Sequence, residues 1–413
     1  MSTIFLTQTV EFAGSQDLSI VGNGATLDGS NAGGPAFVAS GGGDLSVSHL
    51  NVRNSLAEGI AVQVPLAATG TVRVSLFNVD IVNNSGHGVL VNDQVDPSTT
   101  DGEQPVADGS AATVEVSVIN SRFIHNGHSV SDRDGLRVNE GGDGDLILTV
   151  RHSAAEENGA DGIEIDERGA GDVRVEMFAT RLIANGPFDP NDLDDGFDID
   201  EYNDGSIFAD IKLTVASNNR EEGFDFNENN AGDLDVDMQQ VSAVDSGEEG
   251  IDLEEDDDFG GGGNLVAMMD NIVTIGNGNG ADGGLKIREK ETGNLDVTLT
   301  NILSVDNFGS GIFVRESGTG DSAVAITNAL VSGSKISDLG DGEFGGGHGI
   351  EILESGGGSL AGTVEDSNSA GNERFGVFGD ETGAGTGAVT LIGVTFIGAP
   401  NGEGNTGGNA IVP

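Results

Sequence analysis

Apolar and polar residues alternate along most of the chain in short runs that open on a glycine: "GLRVNE" from Gly135, "GIEIDE" from Gly162, "GFDIDE" from Gly196, "GFDFNE" from Gly223 and "GIDLEE" from Gly250. The series continues with "GLKIRE" from Gly284, "GIFVRE" from Gly311, "GIEILE" from Gly349 and "GVFGDE" from Gly376. A period of two predicts a strand with one buried face. Each run is followed by a glycine-bearing turn and a second alternating run, as in "GDLILTV", "GDVRVEM" and "GDLDVDM". A weaker third segment then leads to an asparagine four residues before the next glycine, seen as Asn84, Asn158, Asn219, Asn307 and Asn372. Helical periodicity is absent.

From Gly135 the spacing between successive glycines is 27, 34, 27, 27, 34, 27, 38 and 27, with less regular units at Gly59 and Gly88. Three short strands per repeat, none able to bury its apolar face alone, describe one coil of a solenoid. The expected fold is all-β: a right-handed parallel β-helix of about 12 coils, stacked at the roughly 4.8 Å spacing of neighbouring strands. A single domain over residues 1–413 is expected, with irregular coils at 1–133, acidic coils at 134–258 and C-terminal coils at 259–413. The extra 7 or 11 residues of the longer repeats are expected to bulge from one corner.

This repeat, with the opening "LSIVGNGATLDGS", resembles the right-handed parallel β-helix superfamily that includes pectate lyases and polygalacturonases. The resemblance spans nearly the whole chain and bears on fold more than on function, because the repeat encodes stacking and not chemistry.

Charge changes the picture. The chain carries 69 Asp plus Glu against 17 Lys plus Arg, a formal net charge of -52. Nucleic acid and anionic membrane are excluded as direct partners, and such self-repulsion calls for salt or bound cations. Residues 134–258 hold 37 of the 69 acidic residues. That concentration favours specific cation binding over a uniformly acidic, halophilic surface, the alternative that the four lysines suit. Cysteine is absent, which removes disulfides and thiolate chemistry. No apolar run approaches the roughly 18 residues of a membrane span, and the start shows no signal-peptide pattern. The setting expected for the chain is extracellular or the cell surface, with end-to-end self-association as a further expectation because neither end shows a cap for the last coil.

Stacking turns alignment columns into ladders. Glu140, Glu167, Glu201, Glu228, Glu255, Glu289, Glu316, Glu354 and Glu381 share one column. Neighbouring carboxylates at that spacing repel by ~1 kcal/mol in water and ~3–4 at an effective dielectric of 20. Either turn amides or cations must compensate, and corner glutamates tied to turn amides are the favoured expectation. The outward positions form a second acidic patch: Glu164, Asp166, Asp198, Asp200, Asp225, Asp252 and Glu254, with Asp189, Asp192, Asp194 and Asp195 in the adjoining insert "PFDPNDLDDG". Oxygen-only ligands suit Ca²⁺, so the patch is expected to face solvent and bind calcium, in an adhesive or structural protein.

An enzymatic alternative rests on the resemblance. Pectate lyases hold Ca²⁺ on acidic side chains against an acidic polysaccharide and use Lys or Arg as base, which would assign Lys286 and Arg288 beside Asp252 and Glu254; a cross-strand ion pair is the plainer reading of the same residues. "GHG" around His87 and His348 echoes polygalacturonases, but the upstream coils lack that family's paired aspartates, so turn histidines are expected. With no tryptophan and one tyrosine, Tyr202, the chain is poor in sugar-stacking surfaces.

Overall fold

The computed structural model describes residues 2–95, 107–129, 132–188, 194–256, 261–278, 283–290, 292–336, 346–398 and 406–412. They form an all-β parallel β-helix. The chain divides into two compact units, Met1–Phe208 and Ala209–Pro413, the division falling inside the strand Ile207–Lys212. Among the described residues of the first unit, the glycine-led column contains seven strands, from Val10–Phe12 to Phe197–Glu201, and that of the second seven more, from Phe224–Glu228 to Thr406–Gly407. Among the described residues the strands pair in parallel and follow the glycine spacing, with Leu136 beside Ile163 and Glu140 beside Glu167 in the first unit. In the second, Phe224 lies beside Ile251 and Glu228 beside Glu255.

A regular coil has a five-residue glycine-led strand, a six-residue second strand and a three-residue third strand, as in Ile163–Glu167, Val173–Phe178 and Arg181–Ile183. The bend between second and third strands is made by one left-handed residue, Asn120, His152 or Ala179 in successive coils of the first unit. The leading glycine is required by close approach. A Cβ at Gly135 would lie 2.5 Å from the Gly162 carbonyl oxygen and 2.7 Å from Asn158 Nδ2.

The interior is slim and aliphatic, as the composition implies. Val138, Leu148, Ile165 and Leu182 are fully buried in the first unit, as are Leu253, Val297 and Ile326 in the second. Burying one such side chain stabilises by about 1.5–3 kcal/mol, and stacking repeats this in every coil. At the corner after the third strand, buried asparagines form a ladder. Asn84 Nδ2 donates to Asn126 Oδ1 at 2.9 Å, Asn126 to Asn158 at 3.1 Å and Asn158 to Asn185 at 3.0 Å.

The insertions correct one expectation. In the repeats after Gly162 and Gly311 the extra residues all fall between the third strand and the next glycine. After Gly250, four fall before Leu265 and three before Gly284, so two corners are expanded. A corner tolerates insertion wherever the flanking strands keep their register.

Candidate functional site

The glutamate column is interior. Glu140, Glu167, Glu201, Glu228, Glu255, Glu289 and Glu316 are fully buried, Glu354 nearly so, and Glu381 half-buried. From Glu140 to Glu316 each strand ends at its glutamate, and one carboxyl oxygen accepts from the turn that follows. Gly142 N–H donates to Glu140 at 2.9 Å, Gly169 to Glu167 at 2.8 Å, Gly232 to Glu228 at 3.1 Å and Gly293 to Glu289 at 2.9 Å. Neighbouring glutamates stack in register, Glu167 beside both Glu140 and Glu201, and Glu255 beside Glu228 and Glu289, so that a protonated carboxyl can donate to the next. A carboxyl–carboxylate bond needs a shared proton. Burial, reinforced by the neighbouring acids, accordingly pushes Glu140 up to about 8 and Glu167 up to about 12. Glu255, Glu316 and Glu354 are each pushed up to about 7, by burial first. The formal charge therefore overstates the ionised total at neutral pH.

The outward acidic positions do not face open solvent, contrary to expectation. Glu164 is 8%, Asp166 1%, Asp252 4% and Glu254 9% exposed, while Asp198, Asp200 and Asp225 are half-buried. Long cationic side chains lie across them, together with a further acidic column immediately ahead of each glycine. Asp134, Asp161 and Asp195 belong to that column in the first unit, and Glu222 and Glu249 in the second; all are buried.

Sequence reasoning placed Asp195 in the insert but missed the rest of this column, because the alignment began at the glycine. Its structural task is plain. Asp134 Oδ1 accepts from Asp161 N–H at 3.1 Å, and Asp161 accepts in turn from Asp195 N–H. His87 and His348 occupy the same column, their Nδ1 atoms accepting from Asp134 N–H at 3.0 Å and Phe375 N–H at 3.3 Å. Both are turn histidines, as expected, and burial pushes His348 down to about 4, keeping it a neutral acceptor.

In the first unit the face centres on Arg137. Its guanidinium reaches Asp132 at 2.7 Å, Asp166 at 2.8 Å, Asp134 at 3.6 Å and, in a short contact, Glu164. Burial would lower the guanidinium, but Glu164, Asp166, Asp134 and Asp132 more than reverse this and hold it charged. Arg168 pairs with Asp166 at 3.1 Å and lies over Tyr202, whose hydroxyl donates to Asp200 at 2.7 Å.

Two arginines cannot balance this set. Burial first, then Asp134, pushes Asp161 well above the carboxylate range; burial with Asp134, Asp166 and Asp161 does the same to Glu164 despite Arg137. His87 Nδ1, which accepts from Asp134 N–H, also lies 3.1 Å from Asp134 Oδ2. That buried oxygen takes no hydrogen bond among the described residues. Ligand oxygens of Asp161, Glu164 and Asp198 lie within 4.8 Å of one another, as do those of Asp132, Asp134 and Glu164. Asp194 is half-buried at this corner; Asp189 and Asp192 lie outside the described residues.

In the second unit the outward acids of one coil meet cations of the next. Lys286 stacks in register with Asp252 and Arg288 with Glu254. Lys286 Nζ lies 2.6 Å from Asp252, 2.9 Å from Glu254 and 3.2 Å from Glu249, and only 7% of the residue is exposed. Burial would lower its pKa, yet these carboxylates raise it far above that of an ordinary lysine. An ammonium so held is no proton acceptor near neutrality, so the geometry favours the ion-pair reading of Lys286 over a catalytic base. Arg288 pairs with Glu254, and Lys290 reaches Glu254 at 2.7 Å and Asp256 at 2.5 Å. Glu222, Glu248 and Glu249 form a separate carboxylate group.

No protein-family model matches the chain, and no curated protein matches it. Among solved structures it is similar to a "Siphovirus 9NA tailspike receptor binding domain", at 11% identity over 100% of this chain and 73% of that one, with a TM-score of 0.32.

Proposed function

We propose that the chain is a β-helix that takes up divalent, oxygen-seeking cations, Ca²⁺ first among them, on the acidic face of its glycine-led strands, in a structural or adhesive role at a surface. The observation that carries this reading is the carboxylate excess around Arg137, with a buried Asp134 oxygen that no hydrogen bond reaches among the described residues. Removing charges from water is costly unless they are paired, and here one guanidinium faces four carboxylates directly. Ca²⁺ takes six to eight oxygens at roughly 2.3–2.6 Å in a forgiving geometry, and oxygens within 4.8 Å of one another can share such an ion. Mg²⁺ demands a stricter octahedron and keeps its waters.

A site assembled from strand and corner residues fits the roughly 10⁻⁴–10⁻³ M affinities of extracellular Ca²⁺ modules. The surface setting follows from that range, and the structural or adhesive role from the extended face that stacked coils present.

Isothermal titration of the EDTA-dialysed protein with Ca²⁺ tests this. The double variant Asp161→Asn, Glu164→Gln keeps the volume and the acceptor for Asp195 N–H, and it should lose at least about tenfold in affinity because two ligands that a bound cation would ionise are removed. Asp296→Asn, on an exposed strand position, should titrate like the parent. Heat of binding that is absent from the parent, or equal in all three proteins, would overturn the assignment.

A further inference from the structure

The outward face of the glycine-led strands changes chemistry within the first unit. At the position four residues after each glycine, Gln63, Asn92 and Asn139 stand where the following coils carry Asp166 and Asp200. These amides line a cleft of about 600 Å³ whose lining also includes Leu66, Leu90 and Val95, and the oppositely charged Glu58, Asp132, Arg133 and Arg137. From the geometry we infer that this cleft binds an uncharged, hydroxyl-rich ligand, namely a neutral oligosaccharide.

The amides are wired in one direction. Arg137 Nε donates to Asn139 Oδ1 at 3.0 Å, Asn139 Nδ2 to Asn92 Oδ1 at 3.2 Å, and Asn92 Nδ2 to Gln63 Oε1 at 3.2 Å. Gln63 Nε2 returns to the Asn92 carbonyl at 3.1 Å. Each bond polarises the next, and a buried guanidinium drives the row from one end. Among the described residues, Asn139 and Gln63 each keep one amide hydrogen beyond these bonds, and each carboxamide oxygen keeps a second lone pair. Gln94, 3% exposed, stiffens the wall by donating to the Glu140 carbonyl at 3.2 Å.

Paired donors and acceptors at fixed spacing suit sugar hydroxyls, which are both. Leu66 and Val95, each 60% exposed, offer apolar surface for the C–H faces of a ring. Anionic ligands are disfavoured by the -52 formal charge, whose field reaches about a Debye length, ~8 Å at physiological salt. Cations are drawn instead to the carboxylates beyond Arg137. Arg137 itself is saturated by those carboxylates, so it orders the amides without offering a charge to the ligand.

The cleft shares Asp132 and Arg137 with the edge of the proposed cation site, so an array of immobilised neutral and acidic oligosaccharides is probed in EDTA, which keeps that site empty of divalent ions. The protein should be retained on neutral oligosaccharides and not on acidic ones. Gln63→Ala and Leu66→Asp alter exposed side chains, so the fold should stand, which circular dichroism checks. Each should weaken retention about five- to tenfold, the effect of one lost hydrogen bond or apolar contact. No retention on neutral sugars, retention on acidic ones only, or retention unchanged in both variants would overturn the inference.

Discussion

Replacing Arg137 with Met should destabilise the protein by about 3–5 kcal/mol at pH 8, the range seen when one partner of a buried ion pair is removed. Methionine keeps much of the stem volume, so the loss is electrostatic rather than a cavity effect. The variant leaves Asp132, Asp134, Glu164 and Asp166 facing one another without the guanidinium that now touches all four. Protons should repair part of this. Asp161 and Glu164 are already pushed upward in the parent, and without Arg137 the group rises further. A carboxyl whose folded pKa exceeds its unfolded value stabilises most below the unfolded value, and that stability is lost as pH rises through the folded one. The deficit of the variant should therefore shrink between pH 8 and pH 5. Urea unfolding at both values measures it; a variant as stable as the parent at pH 8 would mean that the carboxylates do not depend on Arg137.

The glutamate ladder should make the parent protein more stable at pH 5 than at pH 9. The sign follows from the direction of the shifts. Glu140 at about 8 and Glu255, Glu316 and Glu354 at about 7 lie above the ordinary value of 4.5, so the folded chain binds more protons than the unfolded chain between roughly pH 5 and pH 8. Each pKa unit corresponds to about 1.4 kcal/mol. Because neighbouring glutamates share protons, the ladder as a whole is expected to lose on the order of 3–6 kcal/mol across that window. Thermal unfolding at pH 5, 7 and 9 should show a falling midpoint. Glu140→Gln, which keeps an acceptor for Gly142 N–H and cannot ionise, should flatten the alkaline part of the profile. A midpoint that rises from pH 5 to pH 9 would contradict the shared-proton ladder.

Regular spacing made the coil register readable from residues alone. Glu140, Glu167 and Glu201 fall in one column because 27 or 34 residues separate their glycines, and the strand pairings place them side by side. The burial of the outward acids was not readable. Alternation distinguishes the two sides of a strand, but whether the outer side meets water depends on corner residues of the same and neighbouring coils.

Arg137 looks like one more outward residue until stacking sets it beside Glu164. The acidic column of Asp134, Asp161 and Asp195 was visible in letters, each directly before a glycine, yet its meaning lies in backbone amides donated from the next coil. Asn126, Asn185 and Asn277 escaped the asparagine pattern because insertions change their distance to the next glycine. The left-handed corners favour asparagine and aspartate, as at Asn120, Asn271 and Asp306, but Ala179 and Leu213 serve there too, so that signal marks only some of them.

Specific divalent ions, and not bulk salt, are proposed to neutralise the buried acidic face. Thermal unfolding decides it most directly, in EDTA with NaCl or KCl raised stepwise, against added Ca²⁺ at constant ionic strength. The account predicts that millimolar Ca²⁺ raises the midpoint beyond anything monovalent salt achieves, since a ligand at a hundredfold excess over its dissociation constant contributes about 2.7 kcal/mol. If molar NaCl or KCl stabilises equally and Ca²⁺ adds nothing, the acidity is an adaptation to salt and the cation sites do not exist.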